Sequence, residues 1–115
     1  MRIRLLLRNL LSNALRHTSP QAPPIRISLQ QGDEMLKICV ADRGAGMSST
    51  AVAHATQPFY REDPARSRDT GGLGLGLYLC KRIVEAHGGD LDIVSQEGEG
   101  TEVSVRLPRR AAVAA

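Results

Sequence analysis

The stretch GLGLGL at residues 72–77 sets glycine at every second position, immediately before a run of apolar residues with helical spacing. This spacing predicts a helix over Gly72–His87, with Gly88 and Gly89 as its C-terminal cap. Each glycine costs a helix up to about 1 kcal/mol relative to alanine, so glycines at its start indicate that bare backbone is needed there. Unshielded N–H groups at a helix N-terminus, aided by the helix dipole, favour a phosphate group. The spacing is neither that of a P-loop nor that of a dinucleotide-binding loop, and a flexible hinge is the alternative interpretation.

A second amphipathic helix is predicted over residues 2–17, where apolar residues recur at i, i+3 and i+4. Asn9, Asn13 and Arg16 line one edge of its apolar stripe, and His17 falls within the stripe. Asparagine is an indifferent helix former, and an amide that is buried without partners costs free energy. An amide oxygen can ligate Mg²⁺ and a guanidinium can bind phosphate, which makes this edge a candidate site. The alternative is that these side chains cap their neighbours or face water.

Two glycine-containing turns lie at the ends of predicted strands. In DRGAGM, residues 42–47, Asp42 follows a predicted strand and precedes Gly44 and Gly46. Glycine permits positive φ and a close backbone approach, and the carboxylate could accept a hydrogen bond from the exocyclic amine of adenine. In GEGT, residues 98–101, Thr101 lies between the last two strand patterns. Ordinary tight turns are the alternative interpretation at both positions.

The segment 56–71 has no periodicity and holds two prolines and several charged residues. A loop of this length is usually functional or disordered. Its cations Arg61, Arg66 and Arg68 could fold over a bound polyphosphate. A solvated charged loop explains each arginine equally well when it is taken singly.

The remaining patterns predict two hairpins and a short helix. The strands are Ile25–Gln31, expected to be half-buried, with Met35–Ala41, and Leu91–Ser95 with Glu102–Leu107, and the helix is Ser48–His54. This order of elements predicts an α+β fold, a two-layer sandwich whose mixed, mostly antiparallel sheet has helices on one face. Residues 1–108 are expected to form the domain and residues 109–115 a flexible C-terminal tail.

Composition argues against several other classes of protein. The net charge of +3 suits phosphate-bearing partners, but the chain has only three aromatic residues, too few for the stacking platforms of single-stranded nucleic-acid binders. Cys39 and Cys80 stand apart without metal-ligand spacing and are expected to be buried, reduced thiols. No apolar run approaches the roughly 20 residues of a membrane span, so a soluble, cytoplasmic piece is expected.

Taken in order, these blocks resemble the ATP-binding catalytic domain of bacterial sensor histidine kinases over nearly the whole chain. NLLSNALRHT is similar to the N box of that family, DRGAGM to its G1 box, PFYR to its F box, GGLGLGL to its G2 box and GEGT to its G3 element. Each block alone is weak, whereas five in the right order are specific. The resemblance implies the Bergerat fold, in which the nucleotide lies between the N-box helix and a lid.

The resemblance also implies roles for individual residues. Asn13 would ligate Mg²⁺, Asn9 would lie near the phosphates and Arg16 would reach toward them, so that these three form the catalytic group. His17 would pack near the adenine, Asp42 would bind the adenine amine and Thr101 would lie near the base. The other nucleotide-binding residues would come from the glycine blocks and the loop, namely Gly44, Gly46, Met47, Arg61, Gly72, Leu73, Gly74, Leu75, Gly76 and Leu77.

The implied activity is that of a histidine protein kinase that uses Mg·ATP. Hydrolytic members of the superfamily carry a glutamate base four residues before the metal-binding asparagine, where this chain has Asn9, an amide that cannot usefully accept a proton. The γ-phosphoryl group would therefore pass to a histidine on a separate dimerisation domain, absent here, and later to the receiver domain of a response regulator. The alternatives are an ATP-hydrolysing member of the fold, a serine kinase of the anti-sigma-factor type, and a docking module without catalysis.

The resemblance further implies that this piece is N-terminally truncated, because the family usually has a strand ahead of the N box. An exposed sheet edge is expected as a result. The piece would have no nucleic-acid partner and no direct membrane contact, and its parent protein would be anchored in the inner membrane. Alone, it should bind nucleotide and show little turnover.

Overall fold

The computed structural model describes residues 3–16, 18–19, 21–57 and 76–108. Two helices and two hairpins make up most of this part of the chain, with one further short helix between them. The elements are α1 (Ile3–Arg16), β1 (Arg26–Gln31), β2 (Met35–Asp42), α2 (Ser49–His54), α3 (Gly76–Ala86), β3 (Asp90–Gln96) and β4 (Gly100–Pro108). Their order agrees with the elements predicted from the hydrophobic periodicity, and the predicted boundaries that lie in the described part differ from the observed ones by at most two residues.

The four strands form one sheet in the order β1-β2-β4-β3, and every pairing among them is antiparallel. One face of the sheet carries the apolar side chains of the core, and α1 and α3 pack on that face. This inner face is lined by Ile38, Val40, Val103, Val105 and Leu107. The predicted α+β sandwich with helices on one face is therefore confirmed.

The helix layer is held by the apolar stripes of α1 and α3, which pack against each other as well as on the sheet. Leu6 and Leu10 are almost completely buried on α1, and Cys80 and Val84 are buried on α3. The Sγ atom of Cys80 lies 3.9 Å from the carbonyl oxygen of Leu6 and marks the contact between the helices. Burial raises the pKa of the Cys80 thiol to about 12, so the thiol stays protonated at neutral pH and acts as a small apolar group.

Glycine ends helix α3 as the sequence predicts. Gly88 has a φ of +78°, its N–H donates to the carbonyl of Glu85 at 3.0 Å, and the N–H of Gly89 donates to the carbonyl of Val84 at 2.9 Å. This pair of bonds is the Schellman pattern, which satisfies carbonyls that the last turn of a helix leaves without partners.

The strand predicted over Ile25–Gln31 forms as β1, but the expectation that it is half-buried is wrong. All six residues of β1 are exposed, including Ile27 at 53% and Leu29 at 63%. These two side chains do point to the inner face, because they pair with Val40 and Ile38 of β2. They stay exposed because β1 is an edge strand, and the helices cover β2, β4 and β3.

The expectation of two buried thiols is only half correct. Both cysteines are free, but Cys39 is half-buried on the outer face of β2, with its Sγ 3.3 Å from the Oγ of Ser104. In the described part of the chain α1 and α3 pack on the opposite face of the sheet, so Cys39 is shielded there mainly by its neighbours on adjacent strands.

Several predictions fall outside the described residues. They are the first turn of the helix predicted over Gly72–His87, the loop with its three arginines, His17 and the tail at residues 109–115. Within the described ranges, no helix is both long and apolar enough to cross a membrane.

Candidate functional site

Asp42 and Thr101 face each other at one end of the sheet. They are paired across β2 and β4, and only 6% and 3% of their surfaces are exposed. The Oδ1 atom of Asp42 accepts a hydrogen bond from the N–H of Gly44 at 2.9 Å, while Oδ2 carries none from the described residues. The carboxylate therefore begins a tight turn, as one sequence interpretation holds, and still keeps an oxygen for a further donor.

The turn formed by residues 42–47 is pressed against the β3–β4 hairpin. A Cβ atom at Gly46, whose φ is +73°, would lie 2.1 Å from the carbonyl oxygen of Gln96, and one at Gly100 would lie 2.1 Å from the carbonyl oxygen of Asp42. The N–H of Gly98 donates to the carbonyl of Ala45 at 2.7 Å. Glycine is required at positions 46 and 100 because two backbone segments meet there. These contacts fix where Asp42 and Thr101 lie.

Ser95 belongs to this end of the sheet, although the sequence reasoning missed it. Its Oγ atom accepts a hydrogen bond from the N–H of Met47 at 2.8 Å and lies 2.7 Å from the Oγ1 of Thr101. The alternation of Leu91, Ile93 and Ser95 could have indicated it, because it places a hydroxyl on the inner face of β3, where an apolar residue is expected. The side chain of Met47 is itself buried, at 7% exposure.

The two amides of α1 lie in the helix layer that covers the same face of the sheet. Asn9 and Asn13 are half-buried, and Arg16 is exposed in the last turn. The Nδ2 atom of Asn9 is shielded from solvent and has no hydrogen-bond partner among the described residues. A buried donor without an acceptor costs roughly 1–3 kcal/mol, so such a group calls for an explanation.

The structure thus brings part of the predicted site together. Asp42, Gly44, Gly46, Met47 and Thr101 meet at one end of the sheet, and Asn9 and Asn13 lie in the layer above its inner face. Gly76 begins the described part of α3, and the side chain of Leu77 is buried in the core. The remaining predicted residues, His17, Arg61, Gly72, Leu73, Gly74 and Leu75, lie outside the described residues.

A depression of about 730 Å³ opens at the same end of the sheet, with Asp42, Ser95 and Thr101 in its lining. The rest of its wall includes outer-face positions such as Arg26 and Glu102.

In the part of the chain that the structure describes, no three histidine, cysteine, aspartate or glutamate residues cluster in a way that could hold a metal ion.

Comparison with known proteins gives a consistent assignment. Residues 1–111 match the family model described as histidine kinase-, DNA gyrase B- and HSP90-like ATPase. The sensor histidine kinase WalK of Bacillus subtilis is 42% identical over 102 residues, covering 87% of this chain. The sensor protein SrrB of Staphylococcus aureus is 37% identical over 103 residues, covering 90% of this chain. The chain spans only 16% and 18% of the lengths of these two relatives.

Two solved structures agree with the sequence relatives. A mycobacterial sensor histidine kinase, MprB, matches 90% of this chain and 68% of its own with a TM-score of 0.75 and 27% identity. Full-length ShkA, solved in complex with AMPPNP, matches 93% of this chain and 21% of its own with a TM-score of 0.77 and 29% identity. The chain therefore belongs to the histidine kinase-, DNA gyrase B- and HSP90-like ATPase family, as an ATP-binding catalytic domain of the kind found in sensor histidine kinases.

Proposed function

We propose that this domain binds Mg·ATP and transfers its γ-phosphoryl group to a histidine on a separate dimerisation domain. The observation that carries the proposal is the Nδ2 atom of Asn9, a buried donor without an acceptor among the described residues. A phosphate oxygen would satisfy that donor, because it supplies lone pairs and negative charge. The partner of the whole protein would then be the receiver domain of a response regulator, and the domain would work in the cytoplasm, where ATP is supplied.

The base would be held at the end of the sheet. Asp42 and Thr101 are buried and paired, and the carboxylate has one oxygen without a bond from the described residues. A carboxylate accepts hydrogen bonds, so it suits the exocyclic amine of adenine. The close backbone contacts at Gly46 and Gly100 support this role because they fix the positions of the two side chains.

The triphosphate would lie along α1. The Nδ2 atom of Asn9 would donate to it, Arg16 would add positive charge, and the amide oxygen of Asn13 would face the metal ion. Magnesium is commonly held by few protein ligands together with substrate phosphates, which fits a site that lacks a cluster of acidic residues among the described ones. When bound, the ion supplies neutralisation of the phosphate charge. The backbone N–H groups of residues 72–77, the segment that leads into α3 in the sequence, remain the further proposed phosphate donors.

The chemical step fits positioning rather than activation of water. An imidazole nitrogen of the partner histidine would form a bond to the γ-phosphorus while the bond between that phosphorus and the bridging oxygen breaks, which releases ADP. Asn9 stands where a general base would be needed for hydrolysis, and an amide cannot perform that role. The side chains of this domain would therefore orient and neutralise the triphosphate, and the partner would supply the nucleophile.

The metal-binding role of Asn13 can be tested by calorimetric titration with a non-hydrolysable ATP analogue, with and without Mg²⁺. We expect Asn13→Ala to weaken binding of the Mg²⁺-bound analogue about 10-fold or more, because one ligand to the ion is lost. Binding of adenosine should stay within about 2-fold, since the base contacts are unchanged. Leu15→Ala, an exposed position on the same helix, is the matched control. Equal losses of affinity for the analogue and for adenosine would show that Asn13 does not bind the metal ion.

The identity of the acceptor can be tested by incubating the domain with radiolabelled ATP and the dimerisation domain of its parent kinase. We expect a phosphoprotein that is labile to acid and stable to base, the signature of phosphohistidine. An acid-stable product would instead indicate a serine kinase. Steady release of phosphate by the isolated domain would indicate a hydrolytic ATPase. Failure to bind any nucleotide would leave only the docking module.

A further inference from the structure

Ser95 connects three segments at the base-binding end of the sheet, and the proposed function does not by itself give it a role. Its Oγ atom lies 2.8 Å from the backbone N of Met47, 3.0 Å from the carbonyl oxygen of Gly100 and 2.7 Å from the Oγ1 of Thr101. The hydroxyl therefore joins β3, to which Ser95 belongs, to the turn after β2 and to the start of β4, where Gly100 and Thr101 lie.

The chemistry of these three partners determines where the protons lie. A backbone N–H only donates and a carbonyl only accepts, so Ser95 accepts from Met47 and gives its one proton to Gly100. The short contact with Thr101 can then be a hydrogen bond only if Thr101 is the donor. No other assignment satisfies all three contacts at once.

With this assignment, both Thr101 and Asp42 present only hydrogen-bond acceptors to a ligand. The hydroxyl proton of Thr101 is used on Ser95, which leaves only lone pairs on its oxygen for a ligand. Asp42 lies opposite Thr101 across the strand pair and also presents an acceptor. Two neighbouring acceptors match an amine, which has two protons, and they repel a carbonyl oxygen, which has none.

We infer that Ser95 is a positioning residue that gives the site its preference for 6-aminopurine over 6-oxopurine nucleotides, by holding the Thr101 hydroxyl as an acceptor. The inference rests on the proposed function, since it concerns the base of the nucleotide bound there. Ser95 acts through Thr101, and Asp42 supplies the other half of the preference. In Ser95→Ala the hydroxyl of Thr101 is free to turn and to donate to a carbonyl oxygen.

The test compares ADP with IDP, whose base carries a carbonyl oxygen in place of the amine. Dissociation constants are measured with Mg²⁺ present by competition against a fluorescent ADP analogue on the full chain. We expect Ser95→Ala to lower the ratio of ADP affinity to IDP affinity by roughly 5–10-fold, the size of one hydrogen bond of changed polarity. A purely structural role would lower both affinities by the same factor and leave the ratio unchanged.

Three further variants separate positioning from general loosening. Ser95→Thr keeps the hydroxyl, so its ratio of ADP affinity to IDP affinity should stay within about 2-fold of that of the unaltered chain. In a Thr101→Val background, Ser95→Ala should no longer change the ratio, because the residue it acts through has lost its hydroxyl. Ser104→Ala removes a hydroxyl from the outer face of β4, near Cys39, and should change neither affinity.

The outcomes distinguish the two proposals. If the unaltered chain binds neither ADP nor IDP, the proposed function fails and this inference fails with it. If ADP binds normally and Ser95→Ala leaves the ratio unchanged, the inference alone is overturned. The inference would also be overturned if Ser95→Thr lowered the ratio of ADP affinity to IDP affinity as much as Ser95→Ala does. The same holds if Ser95→Ala lowered this ratio by the full factor in the Thr101→Val background.

Discussion

Asn9 is a polar residue in surroundings that do not satisfy its hydrogen-bonding capacity. Its amide nitrogen is buried on a helix without a partner among the described residues, where an apolar side chain would cost nothing. Folded proteins keep such groups rarely, and each one calls for an explanation such as a catalytic role or a bound water or ion. The functional interpretation of α1 therefore depends on this one atom more than on the exposed Arg16.

Gly100 and Gly98 make a matched pair at the tip of the β3–β4 hairpin. Both have positive φ, but a Cβ at Gly100 would lie 2.1 Å from the carbonyl oxygen of Asp42, whereas one at Gly98 would meet nothing within 4 Å. We expect Gly98→Ala to cost about 1 kcal/mol of stability and to leave ADP affinity intact. Gly100→Ala should cost more and weaken ADP binding about 10-fold or more, because it displaces Asp42.

The measurements for this pair are chemical denaturation and titration with ADP. If both variants lose ADP affinity equally, the close approach to Asp42 is not what places the base-binding residues. If Gly100→Ala binds ADP normally, the close backbone approach at this position has no role in nucleotide binding.

Each helix and strand follows the periodicity of its own sequence, but their surroundings differ. The apolar face of α1 is buried against α3 and the sheet, whereas the apolar residues of β1 point to the inner face and remain exposed. The alternating apolar side chains of an edge strand outside the helix layer stabilise the fold little, because few of their atoms are buried. The site depends on the well-covered elements, because α1 must hold its amides above the sheet.

Leu6 and Leu15 lie on the same helix with opposite burial, 0% and 64% exposed. We expect Leu6→Ala to lower the free energy of unfolding by roughly 2–5 kcal/mol, since it opens a cavity between α1 and α3. Leu15→Ala should change it by no more than about 0.5 kcal/mol. Urea denaturation followed by circular dichroism measures both. Similar losses in the two variants would mean that α1 does not pack on α3 as described.

At the scale of the whole molecule, the helix layer and the sheet share one apolar core. The two parts of the proposed site lie on different layers, the amides on α1 and the base-binding pair on the sheet. A ligand that contacts both layers therefore stabilises the folded domain as a unit, because it binds the folded chain and not the unfolded one.

We expect saturating Mg·ADP to raise the midpoint of thermal unfolding. At a concentration about 100-fold above the dissociation constant, the added stability is roughly 2.7 kcal/mol, or on the order of 10 °C for a domain of this size. Asp42→Asn should reduce that shift for every adenine nucleotide, since it alters the contact with the amine. A full shift in Asp42→Asn would argue against this role, and no shift in the unaltered chain would argue against nucleotide binding.

The sequence by itself determined the elements, their order and the face of each that is apolar, because periodicity is a local property of the chain. It also singled out Asn9 and Asn13, because amides at the edge of an apolar stripe need an explanation, and Asp42, because this carboxylate ends a strand just before a glycine turn. The role of Thr101 came only from the family resemblance. Only the tertiary structure decided that β1 lies outside the helix layer, that Gly46 and Gly100 admit a neighbouring backbone, and that the Oγ of Ser95 lies within hydrogen-bond distance of the Oγ1 of Thr101. These three facts depend on contacts between segments far apart in the chain, and strand register and layer width, which set such contacts, are not encoded in any single segment.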